Sequence, residues 1–366
     1  VAIILAMTGR MADGESDRDA RLDLGGTALS ALGLGLVVFG ILRAGAWGFV
    51  NPKPGAPVWI GLSPTIWLML GGGLVLLVFA AWEKRRVEAG QSVLIDPTIL
   101  RNPVLRGGLT AFLFQFLLQA GLFFCVPLYL SVALGLSAVE TGIRILPLSI
   151  TLLLAAVGVP KIWPQASPQR VARFGFLGLL AGIVSLMGAL ELGAGPEIVT
   201  LPLLLAGLGI GALASQLGAV TVSSVPDEQS PEVGGLQNTF TNLGASVGTA
   251  LAGAILVSAL TTSFFTGIQD NPAIPETLTS KAQVEFAGGI QFIPDSDLEA
   301  ALSKAGITGD TAQAIMEENS QSRIAGLRAA LAALAVLAIA ALFSTGSLPT
   351  RQGQSDADAK VPAGLS

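Results

Sequence analysis

Apolar runs recur along the chain, broken by short stretches of charge, proline and glycine. A bilayer core about 30 Å thick needs about 20 apolar residues per helix. Runs of that length fall at 24–43, 65–82, 104–131, 139–160, 171–191, 198–222, 236–260 and 324–345, and they predict eight transmembrane helices. The opening VAIILAM is too short to span. It lacks the basic start and small-residue cleavage site of a signal peptide, so it reads as the end of a ninth helix that begins before Val1.

Composition agrees with the pattern. Of 366 residues, 52% are hydrophobic and 12% charged, with a mean hydropathy of +0.69, whereas soluble domains carry about 25% charged residues. The chain has no histidine and one cysteine. That excludes an intrachain disulfide framework, His/Cys metal sites and Ser/His/Asp triads. No catalytic constellation remains, so no enzymatic activity, cofactor, metal or nucleic-acid partner is expected.

The connections between spans alternate sides. Most of the 20 Lys and Arg fall in 8–22, 83–106, 161–173, 223–235 and the tail after 345, and the positive-inside rule makes that side cytoplasmic. The connection 261–322 then faces outward, and it is long and acidic. Two short helices are predicted in it. One covers SDLEAALSKAG, with Ser296 as N-cap, Glu299 closing a capping box and Gly306 as the stop; the other begins near Asp310.

Polar residues inside the spans need partners or a purpose, because burying them in hydrocarbon is costly. Gln115 and Gln119 share one face, and either bond a neighbouring helix or line a cavity. Glu140 and Arg144, at the same spacing near an outer end, form a candidate ion pair. Span 198–222 carries Ser215 and Gln216. In 236–260, Asn238, Asn242 and Thr249 lie within about 40° of one another; capping and helix contact explain the asparagines as well as substrate does. Gly244, Gly248 and Ala252 form a small-residue row on another face, suited to close helix packing. Pro127, Pro147 and Pro202 are expected to bend their helices. Spans 171–191 and 324–345 offer only Ser185 and Arg328, and are expected to face lipid. No Asp or Glu lies deep in a span, which leaves Glu140 and Glu191, at outer ends, as the acids available for proton coupling within this chain.

The stretch SPEVGGLQNTFTNLGASVGTAL, the long connection before the last span, and Gly142 followed by Leu146 and Pro147 in SAVETGIRILPLSI together resemble the fourteen-helix drug:proton antiporters of the major facilitator superfamily. The resemblance implies an all-α membrane protein, the C-terminal part of that fold, with eight transmembrane helices plus the end of a ninth. It divides the chain into a truncated helix and cytoplasmic loop (1–23), two inserted linker helices (24–103) and five helices of the C-terminal bundle (104–260). The acidic extracytoplasmic loop (261–322), the last helix (323–345) and a cytoplasmic tail (346–366) follow. In that family the cavity is lined by the counterparts of 104–131, 139–160, 198–222 and 236–260, the four spans that carry most of the polar residues here. The chain departs from the family at Thr241, Asn242, Gly244 and Ala245, where relatives often carry Arg or Gln with paired glycines.

The implied function is proton-driven efflux of amphipathic or cationic small molecules by alternating access. The expected partners are a small-molecule substrate, the lipid bilayer and an N-terminal helix bundle of the same protein. Gln115, Gln119, Arg144, Gln216, Asn238, Asn242 and Thr249 are the candidates for the substrate pathway. Two alternatives stay open: an exporter of one specific metabolite or lipid, and a membrane sensor or scaffold acting through the outer loop.

Overall fold

A computed structural model describes residues 23–53, 55–285 and 290–350. The VAIILAM stub and the tail after 350, on which the incoming helix and the cytoplasmic tail rested, lie outside the described residues. Ten α-helices are described: α1 (Leu24–Trp47), α2 (Pro64–Glu88), α3 (Pro103–Leu128), α4 (Ala138–Ile162), α5 (Pro168–Ala189), α6 (Thr200–Val222), α7 (Ser230–Asp270), α8 (Glu276–Glu285), α9 (Asp295–Lys304) and α10 (Asp310–Ser344). Eight of them are long and apolar enough to cross a membrane, and they match the eight predicted spans.

The starts of the spans are chemically marked. Ser63, Asn102 and Ser167 each cap a helix whose first residue is proline, the side-chain oxygen accepting from backbone N–H groups of the first turn. Proline fits that position because the first N–H has no intrahelical partner anyway. Pro202 sits in the first turn of α6, as its third residue. Pro127 does disturb its helix. The chain passes from α3 into a π-helical segment at Tyr129–Ala133, where Leu134 N–H reaches back to Tyr129 O.

Helix α6 is the centre of the bundle, 56% buried along its apolar stretch against 17% for α4. Its glycines make this possible. A Cβ on Gly207 or Gly211 would meet the Leu148 or Leu152 carbonyl oxygen of α4 at 2.3 and 2.2 Å, and one on Gly209 would meet Gly175 O of α5 at 2.5 Å. Two helices therefore touch α6 backbone to backbone. Helix α10 packs on α3, α5 and α7, with Leu327, Ala330, Leu331, Leu334, Ala338 and Ala341 fully buried. Thus α5 and α10 do not simply face lipid. Each buries one face and exposes another, Phe174, Leu177 and Val184 on α5 and Val336, Ile339 and Phe343 on α10.

The connection predicted as a long loop is largely helical. Leu260, Phe264 and Ile268 continue the buried face of α7 well past the expected end of the span. They form a second core with Ile274, Ile290, Leu302, Ala314 and Ile315. The segment SDLEAALSKAG is helical and stops as predicted, with Gly306 at φ 73°, but its start differs. Helix α9 begins at Asp295 after Pro294, and no side chain caps it, so the Ser296–Glu299 capping box does not form. Pro294 holds the extended conformation before the first turn, and the Asp295 carboxylate turns to Arg323 of α10.

Candidate functional site

The candidate pathway residues lie on α3, α4, α6 and α7. Their setting is fixed by one close contact: α7 meets α3 through its small-residue row, with Gly244, Gly248 and Ala252 buried. A Cβ on Gly244 would fall 2.4 Å from Leu113 O, and one on Gly248 2.1 Å from Leu117 O. The row thus lies where α7 comes closest to the α3 backbone. On α7, Asn238 and Asn242 point away from this contact and are exposed. Asn242 Nδ2 donates to Asn238 O at 2.8 Å and to Asn238 Oδ1 at 3.1 Å, so the two amides form one polar step. Thr249 is half-buried, and its hydroxyl donates to Ala245 O.

On α3, Gln115 is 2% exposed and its Oε1 accepts no hydrogen bond. Gln119, one turn further, is half-buried. Gly108 of α3 lies against Thr221 of α6. Because the two helices run antiparallel, this register brings Gln115 to a depth close to that of Gln216, which is also buried. Arg144 on α4 is half-buried. The anticipated Glu140–Arg144 ion pair is not closed. Glu140 instead accepts from Ser137 N–H at 2.9 Å and from Ser137 Oγ at 2.7 Å, and Ser137 Oγ in turn accepts from Glu140 N–H. That is a capping box at the start of α4. Helix initiation wins because its partner is three residues away in a fixed geometry, whereas Arg144 must fold back along the helix.

Several polar residues that the span-by-span census passed over prove important. Gln237, beside Asn238, crosses to α6, where its Nε2 donates to Gly218 O at 3.1 Å and to Thr221 Oγ1. Arg323, 2% exposed, donates to Ile293 O at 3.0 Å and Ser320 Oγ at 3.0 Å and pairs with Asp295, tying α10 to the residues that precede α9. Asn319, one turn earlier, is equally buried. Glu83, counted with the charged residues after the second span, is completely buried. It lies just past the second predicted span, near the C-terminal end of α2, so it is covered by protein without being deep in a span. In each case the residue sits at the end of an apolar run, where sequence alone suggests exposure to water.

Three cavities among the described residues lie away from the candidates. One, of about 670 Å³, opens between α9, α10 and Leu192; a second lies inside the lobe formed by α8, α9 and the end of α7; the third lies beside Trp163 and Phe174. Among the described residues no cluster of three or more acidic, His or Cys side chains is arranged to hold a metal ion.

Eight apolar spans on a glycine-packed bundle define a multi-pass membrane protein. The Major Facilitator Superfamily profile matches residues 2–249, and the chain belongs to that family. It is 24% identical over 291 residues to a probable actinorhodin transporter of Streptomyces coelicolor, covering 78% of this chain and 47% of that one. It is 29% identical over 266 residues to the tetracenomycin C resistance and export protein of Streptomyces glaucescens, covering 70% and 45%. The chain thus spans about half the length of these relatives. Among solved structures it is similar to a bacterial homologue of the human lysosomal transporter Spinster in an inward-facing, unoccupied conformation. That similarity has a TM-score of 0.46 and 18% identity, covering 88% of this chain and 68% of the other.

Proposed function

We propose that this chain forms one half of a secondary transporter that exports amphipathic or cationic small molecules by alternating access, driven by proton return. The observation that carries the reading is the division of α7 into two faces. One face packs backbone to backbone against α3, and the other leaves Asn238 and Asn242 open and uncharged. Paired amides exposed near the cytoplasmic end of the α7 span offer donors and acceptors to varied substrates without the cost of burying a charge. Gln115, Gln119, Gln216 and Thr249 extend the same uncharged chemistry to α3 and α6, and Arg144 biases one end of the pathway. The end bearing 83–106 and 161–173 is the cytoplasmic one on this reading, by its excess of Lys and Arg.

A second reading has its own support. Both relatives are named for a single compound, actinorhodin or tetracenomycin C, which favours export of one metabolite by the same mechanics. Accumulation of dyes and antibiotics in a pump-deficient strain expressing the full-length protein, with and without a protonophore, separates the two. Reduced accumulation of many cations, abolished by the protonophore, supports the broad reading. No effect across a wide panel, with export of one compound in a metabolite screen, supports the narrow one. No export of any compound rejects both.

A further inference from the structure

The first two spans hold a buried pair of carboxyl groups that the transport reading does not use. Asp23 caps α1, its Oδ1 accepting from Gly26 N–H at 2.9 Å, and its carboxylate also accepts from the Trp82 indole N–H at 3.2 Å. Glu83, on α2, is fully buried, and its Oε2 accepts from Leu94 N–H at 3.0 Å. Its other oxygen, Oε1, receives no donor from the protein. Both carboxyls converge on Gly26. A methyl group there would lie 2.1 Å from Glu83 Oε1 and 2.6 Å from Asp23 Oδ2, so only glycine leaves them room to meet.

Among the described residues the charges around the pair do not balance. Two ionised carboxylates would bring two negative charges together where the protein covers both side chains. Arg86 supplies one positive charge, its Nε 3.2 Å from Asp23 Oδ2. Among the described residues no second cation pairs with either carboxylate. Lys84 pairs outward with Glu88 at 3.9 Å, and Arg85 is exposed. The acids on neighbouring elements are also committed elsewhere: Asp96 caps the turn at Thr98, and Glu232 of α7 accepts from Asp96 N–H. One proton between the pair supplies the hydrogen bond that Glu83 Oε1 lacks, and it leaves a single negative charge for Arg86 to neutralise.

We propose that Asp23 and Glu83 form a proton-binding site in which one proton, carried by Glu83 and donated to Asp23, joins the two inserted helices. Burial pushes Asp23 up, but the N–H groups of Gly26 and Trp82 and the Arg86 charge outweigh it and hold its carboxyl below the ordinary range. Asp23 is therefore the partner that stays ionised. Loss of the proton sets two negative charges against each other at Gly26, and strains the hold of Glu83 on Leu94. Residues 94–96 run from Glu83 to Glu232, so the state of the pair is linked to α7. The site does not depend on what the protein exports.

Infrared difference spectroscopy of the full-length protein in nanodiscs, titrated from acid to alkaline pH, tests the proposal. The wild type is expected to show a protonated-carboxyl C=O band that disappears as pH rises. Glu83→Gln should remove that component, because its amide mimics the protonated acid and leaves Asp23 ionised against Arg86. Asp23→Asn should remove it too, since Glu83 then ionises beside Arg86. Asparagine still caps α1, so this second variant keeps the test valid where the first fails to fold. Glu88→Gln should leave the band unchanged. A wild-type spectrum that neither Glu83→Gln nor Asp23→Asn alters would overturn the proposal, and would make the pair a fully ionised staple on Arg86.

Discussion

Gly248 of α7 lies so close to Leu117 of α3 that a Cβ on it would sit 2.1 Å from the Leu117 carbonyl oxygen. The atom met is backbone, which cannot rotate aside. Gly248→Ala is therefore expected to push the helices apart at a cost of roughly 1–3 kcal/mol, measured as a lower melting temperature in detergent. Gly218 of α6 provides the control, because a Cβ there meets nothing within 4 Å. Gly218→Ala should leave stability unchanged or raise it by up to about 1 kcal/mol through better helix propensity.

Asn242 bonds only along its own helix and is exposed. Asn242→Ala should cost within about 0.5 kcal/mol of stability, so a change in export by the full-length protein would report on substrate and not on folding. The loss of one hydrogen bond is worth about 1 kcal/mol, or roughly fivefold in affinity. An unchanged half-saturating concentration for every exported compound would remove the asparagines from the pathway.

Arg323 joins α10 to Asp295 and Ile293 by bonds that cross between elements. Arg323→Ala should loosen α9 and leave the main bundle folded, because the second core around Phe264 and Leu302 is separate from the cluster around α6. A hydrogen bond to a charged group contributes roughly 1.5–3 kcal/mol. Hydrogen exchange should accelerate across Asp295–Lys304 and remain slow in Thr200–Val222.

The Asp23 carboxyl sits below its ordinary value of 3.8, held there by Gly26, Trp82 and Arg86 against the effect of burial. A group depressed in the folded state stabilises above its unfolded value, and the benefit is lost as pH falls through the folded value. Asp23→Ala should therefore be less stable than the wild type at neutral pH, by about 1 kcal/mol for the lost cap alone. That difference should shrink below about pH 4. Melting curves of both proteins over that range check the sign.

The sequence by itself determined which segments cross the membrane. A run of about 20 apolar residues has one stable solution in lipid, a helix with its backbone bonds satisfied internally, and neither Gly207 nor Pro127 changes that. It also determined that Gly244, Gly248 and Ala252 share a face, since helical periodicity alone places them there. Helix ends were harder to read. The span of α7 was expected to close at 260, yet its apolar spacing at Leu260, Phe264 and Ile268 carries the helix to Asp270, because a second core waits there to bury it.

Only the tertiary structure decided the partners. Glu140 can serve Arg144, four residues on, or Ser137, three residues back, and local geometry chose the serine. Glu83 reads as one of several charges after an apolar run, until Asp23, 60 residues earlier in the fold's first turn, and Leu94 close over it. Burial of a charge depends on what covers it, and what covers these residues comes from other helices. Periodicity within one helix carries no record of that.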